Sequence, residues 1–170
     1  QLQNVVFSQY SNYMASGAPV GDNSVQLYPA GWTSTSLSYV HPNGDRLTVT
    51  NLGKGNPEGV HIYLVAQKPS NSTPPSTQYT KLGNYYYGVF TANGTTGTLP
   101  EYTVIYSYAG NPDASPVAAS NRLVRRDNNA DQEGWQNSGA ILDAVARTLK
   151  TRTGREAYAG EYIIGQRPTL

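Results

Sequence analysis

The chain contains no cysteine. That excludes a disulfide framework and any thiolate metal site. It does not restrict the compartment, because 170 residues can bury a core without covalent staples. Charge is also scarce. Only 14% of the residues are Asp, Glu, Lys or Arg, against roughly a quarter in typical soluble domains. The 12 basic and 11 acidic residues leave a net charge of +1, which argues against a nucleic-acid binder, since phosphate neutralisation needs a basic field. Charge is denser in the second half, but there both signs are equally represented and no one-signed patch forms. No run of 18 apolar residues is present, so no segment reads as a membrane-spanning helix. The opening Gln1-Leu2-Gln3-Asn4 has neither a basic n-region nor a long apolar core. The chain is therefore expected to be a mature or excised segment.

What is present is lopsided. There are 14 tyrosines against 2 phenylalanines, and the polar surface must be made largely of Asn, Ser, Thr, Gln and Tyr. Tyr, Thr and Val favour the pleated surface of a sheet, and Tyr can bury its ring while keeping its hydroxyl in water. This composition predicts an exported β-protein. The length fits one domain spanning 1–170.

Strand and turn signals alternate along the chain. Strands are expected at 4–13, 24–28, 32–40, 60–67, 85–92, 101–108, 121–125 and 161–165. Asn43-Gly44 is the strongest short hairpin signal. Leu47 and Val49 alternate with Thr48 and Thr50 just beyond it, so 37–51 is predicted as a β-hairpin. In 101–108, Tyr102, Val104, Tyr106 and Tyr108 share one face. Pro69, Pro74 and Pro75 exclude 68–76 from a sheet. The segment 138–153 has two readings. Leu142, Val145 and Leu149 stand at helical spacing, yet Val145, Arg147, Leu149 and Thr151 also alternate. Short strands and turns without β-α-β alternation indicate an all-β antiparallel sandwich, jelly-roll or Ig-like, with one short helix near 140–150 as an open alternative. No solenoid or propeller repeat is visible.

Four stretches together have a familiar order. They are Asn84-Tyr-Tyr-Tyr-Gly-Val-Phe-Thr91, then Glu101-Tyr-Thr-Val-Ile-Tyr-Ser-Tyr-Ala-Gly-Asn-Pro112, then Leu123-Val-Arg-Arg-Asp-Asn-Asn-Ala-Asp131 with Trp135 shortly after, and last Glu161-Tyr-Ile-Ile-Gly165. This order resembles β-sandwich modules of large secreted or cell-surface proteins of Bacteroidota, including those exported by the type IX secretion route. The resemblance covers about residues 84–165, and its motifs are structural. It implies a module of an adhesin, a stalk or a secreted multidomain protein. It carries over no catalytic residue, and it implies a strand arm over 144–153.

Candidate sites are few. Asp127, Asn129 and Asp131 place oxygen ligands at alternate positions, as a calcium loop begins. Gln132 then stands where an EF-hand needs Gly, and Ser138 where it needs Glu. The competing reading is a plain loop of turn-forming Asx residues. Trp32 and Trp135, with Tyr85, Tyr86 and Tyr87, would supply the rings of a sugar-binding platform if exposed; the competing reading is packing. His41 sits in a turn and His61 in a strand. No G-x-S-x-G or equivalent surrounds a nucleophile, so no triad is expected. Glu101, Glu156 and Glu161 read as solvated charges at strand ends and turns, and one of Arg125 and Arg126 as the partner of a carboxylate. Asn71-Ser72-Thr73 and Asn93-Gly94-Thr95 match the N-glycosylation pattern, which Asn- and Thr-rich sequences produce by chance.

The expectation is a non-catalytic extracellular structural or adhesive module of a bacterial surface protein. Its partners would be a surface glycan or neighbouring modules, not nucleic acid or membrane. No cofactor is expected beyond the calcium of the 127–131 reading. The alternatives are a carbohydrate-binding module of a secreted polysaccharide-degrading enzyme and a subunit of an extracellular filament or viral fibre.

Overall fold

The structure, a computed structural model, describes residues 36–51, 57–93, 102–127, 134–152 and 159–168. The strands expected at 4–13 and 24–28 lie outside these. Two antiparallel sheets pack face to face as a β-sandwich. The strands are β1 (Ser36–Val40), β2 (Arg46–Asn51), β3 (Pro57–Val65), β4 (Lys81–Leu82), β5 (Tyr86–Asn93), β6 (Tyr102–Ser107), β7 (Asn121–Arg126), β8 (Gln136–Asn137), β9 (Ile141–Asp143), β10 (Thr148–Lys150) and β11 (Ala159–Gln166). The first sheet has the order β1-β2-β6-β10-β9. The second has β3-β5-β11-β7-β8, with β4 pairing β11.

In the first sheet the alternation expected of β2 and β6 is realised. Tyr39, Leu47, Tyr106, Leu149 and Leu142 form one inward row across all five strands. Leu47 and Leu149 in this row are fully buried, and truncating either to Ala costs about 2–5 kcal/mol. The opposite face carries hydroxyls. Ser36 bonds Thr50 at 2.8 Å and Ser38 bonds Thr48 at 2.7 Å across β1 and β2.

The second sheet is buried on both faces. Ile62, Leu64, Tyr87, Val89, Leu123, Tyr162 and Ile164 face the first sheet. Tyr63, Val65, Tyr86, Val124 and Ile163 face the other way and pack with Tyr79, Leu82 and Trp135. The proline-rich stretch, which cannot pair in a sheet, serves as part of this cover, and the Trp135 indole N–H donates to the Asn71 carbonyl at 2.6 Å. Burial on both faces explains why β3 and β11 read as nearly continuous apolar runs.

The helix alternative for 140–150 is corrected by the structure. This segment is a hairpin, β9–β10, and the described residues contain no α-helix, only a 3-10 turn at Ala118–Ser120. Leu142 and Leu149 face each other across the ladder, while Val145 is 96% exposed at the tip. Their helical spacing therefore marks no single face. The Asp143 carboxylate accepts the Val145 and Ala146 N–H groups at 3.0 Å each, and this Asx-type capping holds the turn. No helix among the described residues is long and apolar enough to cross a membrane.

Candidate functional site

Two buried acid-centred clusters stand out among the described residues. The first begins at the β1–β2 turn. His41 N–H donates to the Asp45 carbonyl at 2.9 Å and Gly44 N–H to the His41 carbonyl at 2.8 Å, with Gly44 at φ 104. This is the left-handed region that the Asn-Gly signal anticipates. The strand that follows points Asp45, Leu47 and Val49 the same way, so the alternation that buries Leu47 also buries Asp45 completely. Its carboxylate accepts the Tyr85 hydroxyl at 2.8 Å, the Tyr87 hydroxyl at 3.0 Å and the Tyr106 hydroxyl. Asn43 donates to the Tyr85 oxygen at 2.6 Å, and Asn111 to the Tyr106 oxygen at 2.8 Å.

Tyr85 reaches this ring because the ladder along β11 is interrupted. β4 and β5 occupy the same edge of β11 in succession; Gly83 still donates its N–H to the Ile164 carbonyl at 2.9 Å, while the Asn84 N–H turns away to the Asp113 carboxylate at 2.9 Å. Burial, then the negative charge of Asp45, pushes the Tyr87 and Tyr106 hydroxyls well above their ordinary pKa. Burial is also the largest cause of the upward shift at Tyr85. All three are held as neutral donors, not as bases. The free space bounded by Leu47, Tyr85, Tyr87, Tyr106 and their neighbours is about 10 Å³, room for one water and no substrate.

His41 does not make this a catalytic relay. Its ring stacks on Tyr85 with centroids 4.7 Å apart. Its Nδ1 accepts the Asn43 backbone N–H at 3.0 Å and lies 3.8 Å from Asp45. In a triad that nitrogen would donate to the carboxylate.

The second cluster lies on the far face of the other sheet. Arg126 pairs with Glu161 at 2.8 Å across the β7–β11 ladder, and both side chains are sealed from solvent. The same row continues through Gly88 on β5 to Tyr63 on β3. Tyr63 donates its hydroxyl to Glu161 by lying across Gly88, where a Cβ would come within 1.9 Å of the ring. Any residue but glycine would evict that ring. Trp135 and Tyr86 cover the guanidinium, with their centroids 4.4 and 5.5 Å from its central carbon. Burial, then the Glu161 charge, raises the Tyr63 pKa well above normal.

The nominated sugar-binding residues are thus divided. Trp135, Tyr86 and Tyr87 are 4%, 6% and 2% exposed, so none offers an open ring face. The pleat sends Tyr86 to the Arg126 cluster, and Tyr85 and Tyr87 to the Asp45 cluster. Trp32 lies outside the described residues. Of the calcium-loop residues, Asp127 is 72% exposed at its side chain and bonds Arg125 at 2.7 Å; Asn129 and Asp131 lie outside the described residues. Among those described, no three His, Asp or Glu side chains gather as a metal site. His61 is on β3, paired with Phe90.

Sequence reasoning missed Asp45 and Glu161. Asp45 was legible as the first inward position of the 45, 47, 49 alternation. Glu161, expected as a solvated charge, is fully buried. Nothing in the single sequence announces its pairing with Arg126, which depends on the β7–β11 register. The expectation that tyrosines keep their hydroxyls wet is also corrected. Tyr63, Tyr87, Tyr102, Tyr106 and Tyr162 are buried with hydroxyls bonded to Asp45, to Glu161 or, for Tyr102 and Tyr162, to each other at 3.0 Å.

Comparison with known protein families, characterised proteins and solved structures returned no match.

Proposed function

We propose that this chain is a non-catalytic structural or adhesive β-sandwich module of an extracellular bacterial surface protein. One observation carries the reading. Asp45 and Glu161 are turned inward and bonded to phenols, Asp45 to Tyr85, Tyr87 and Tyr106 beside a space of about 10 Å³, and Glu161 to Tyr63 on the far face of the other sheet, so they stiffen the sandwich instead of meeting a substrate. The low charge density and the serine and threonine hydroxyls along β1 and β2 suit a display or spacer surface facing neighbouring modules or a surface glycan. The order of the 84–165 motifs supports a Bacteroidota-type surface protein.

The direct test is antibody labelling of intact cells that make the protein, with external protease applied in parallel. Labelling without permeabilisation, lost after protease, is the expected result. A protein detected only after permeabilisation overturns the surface assignment.

A further inference from the structure

A groove of about 380 Å³ opens between the loop that follows β6 and the β9–β10 turn. Its size falls within the range of small-ligand sites, roughly 300–1,000 Å³. Tyr108, Pro112, Ala114, Pro116 and Ala118 form part of its wall, and Arg147 stands on the opposite side. The β6–β7 loop is held from within. Buried Asn111 accepts the Asp113 N–H at 2.8 Å. Buried Asp113 accepts Lys81 at 2.8 Å and the Asn84 backbone N–H at 2.9 Å. Asn121 accepts the Ser115 N–H at 2.8 Å and donates back to the Ser115 carbonyl at 3.1 Å. A concavity fixed in this way loses little entropy when a ligand enters.

Arg147 is unusual in three respects. Its φ of 56 lies in the left-handed region, where it is the sole non-glycine among the described residues. The strained backbone is pinned, since its carbonyl accepts the Tyr108 N–H at 3.1 Å, which ties the two walls together. Its guanidinium is exposed and makes no ion pair among the described residues, whereas Arg125 and Arg126 both do. A position that glycine would fill without strain holds a cation at the rim of a preformed groove.

The geometry points to a binding site for a carboxylated sugar, a hexuronate unit of an acidic polysaccharide. A guanidinium fork matches a carboxylate, and the small apolar side chains of Pro112, Ala114, Pro116 and Ala118 suit the C–H face of a pyranose. A peptide is disfavoured because the wall is loop and turn, with no strand edge among its lining residues to extend a ladder. This site is independent of whether the chain is displayed on a cell.

The test is calorimetric titration of the intact chain with trigalacturonate, oligoglucuronate and an oligomannuronate, alongside a neutral galactose trisaccharide and a pentapeptide with a free C-terminal carboxylate. At least one uronate oligomer is expected to bind, weaken with added salt, and exceed the neutral sugar by about tenfold or more. Arg147→Gly is expected to lose that binding by a similar factor while its thermal midpoint stays equal or rises, which separates loss of the site from loss of the fold. Failure of every uronate oligomer to bind the folded chain overturns the inference. So does binding unchanged in Arg147→Gly, or a peptide that binds as tightly as the uronates.

Discussion

Asp45 and Glu161 are both fully buried acids, and they are held in different ways. Glu161 faces a guanidinium on the adjacent strand and accepts the Tyr63 hydroxyl from the same row. Asp45 is surrounded by three phenol hydroxyls, with His41 at 3.8 Å approaching through a nitrogen already engaged as an acceptor. The first arrangement ties β7, β11 and β3 within one sheet. The second joins the β1–β2 turn and β6 of one sheet to Tyr85 and Tyr87 of the other, so it clamps the sandwich together. An ion pair suits a row of neighbouring strands because register alone brings the partners opposite each other. A ring of hydroxyls suits the space between sheets, where several long rigid side chains converge from different strands.

The largest expected effect comes from breaking the ion pair on one side. Glu161→Ala leaves Arg126 buried without its carboxylate and should destabilise by about 3–5 kcal/mol, read as a shift of the urea midpoint. Arg126→Met combined with Glu161→Leu removes both charges and should recover most of that loss. If the double variant is as unstable as the single one, the pair is valued for its packing and not for charge compensation.

Asp45→Asn comes next. It keeps one acceptor oxygen but replaces the other with a donor that faces hydroxyls, at an expected cost of about 1–3 kcal/mol. No paired substitution restores it, because three phenols cannot be compensated by one change. A Tyr106→Phe background should absorb part of the loss, and strict additivity of the two would show that the ring does not act as a unit.

Alkaline pH separates the clusters from the rest of the surface. The hydroxyls of Tyr63, Tyr85, Tyr87 and Tyr106 are raised above the ordinary tyrosine value of 10.0. Above that value the unfolded chain loses these protons while the folded chain keeps them, so the stability they contribute is complete below pH 10 and falls as pH rises further. The phenolate absorbance of this buried set should therefore appear only together with unfolding. A single smooth titration with the fold retained would contradict this.

The legibility of the fold follows burial. The β1–β2 hairpin has one buried face and one more open face, so alternation and the Asn-Gly turn exposed it in the sequence; β6 was legible from its Tyr-Val-Tyr alternation, although Thr103 on its second face is buried as well. β4 and β8, two residues each, carry no periodic signal. The β9–β10 hairpin was ambiguous because Asp143 to Thr148 turns the chain over a stretch that also keeps helical spacing. Tyr85, Tyr86 and Tyr87 read as one aromatic group, yet a strand sends neighbours to opposite faces, and burial of both faces of this sheet hid all but part of Tyr85. What single-sequence pattern lacks is the cross-strand register, and both acid clusters are products of register.

The smallest effect belongs to a more exposed pair, Arg125 with Asp127. Its 2.7 Å contact is as short as the buried one, but the Asp127 side chain is 72% exposed. Water already solvates such a carboxylate, and the side chains lose rotational freedom to meet, so Asp127→Ala should cost less than about 1 kcal/mol. The same contact bears on the calcium reading of 127–131, since a carboxylate engaged by a guanidinium must give up that partner to ligate a cation. The thermal midpoint with added calcium should therefore match the midpoint with a chelator to within about 1 °C. A rise of several degrees with calcium, abolished by Asp127→Ala, would show instead that the ion displaces Arg125, and that this contact is governed by a ligand and not by the fold.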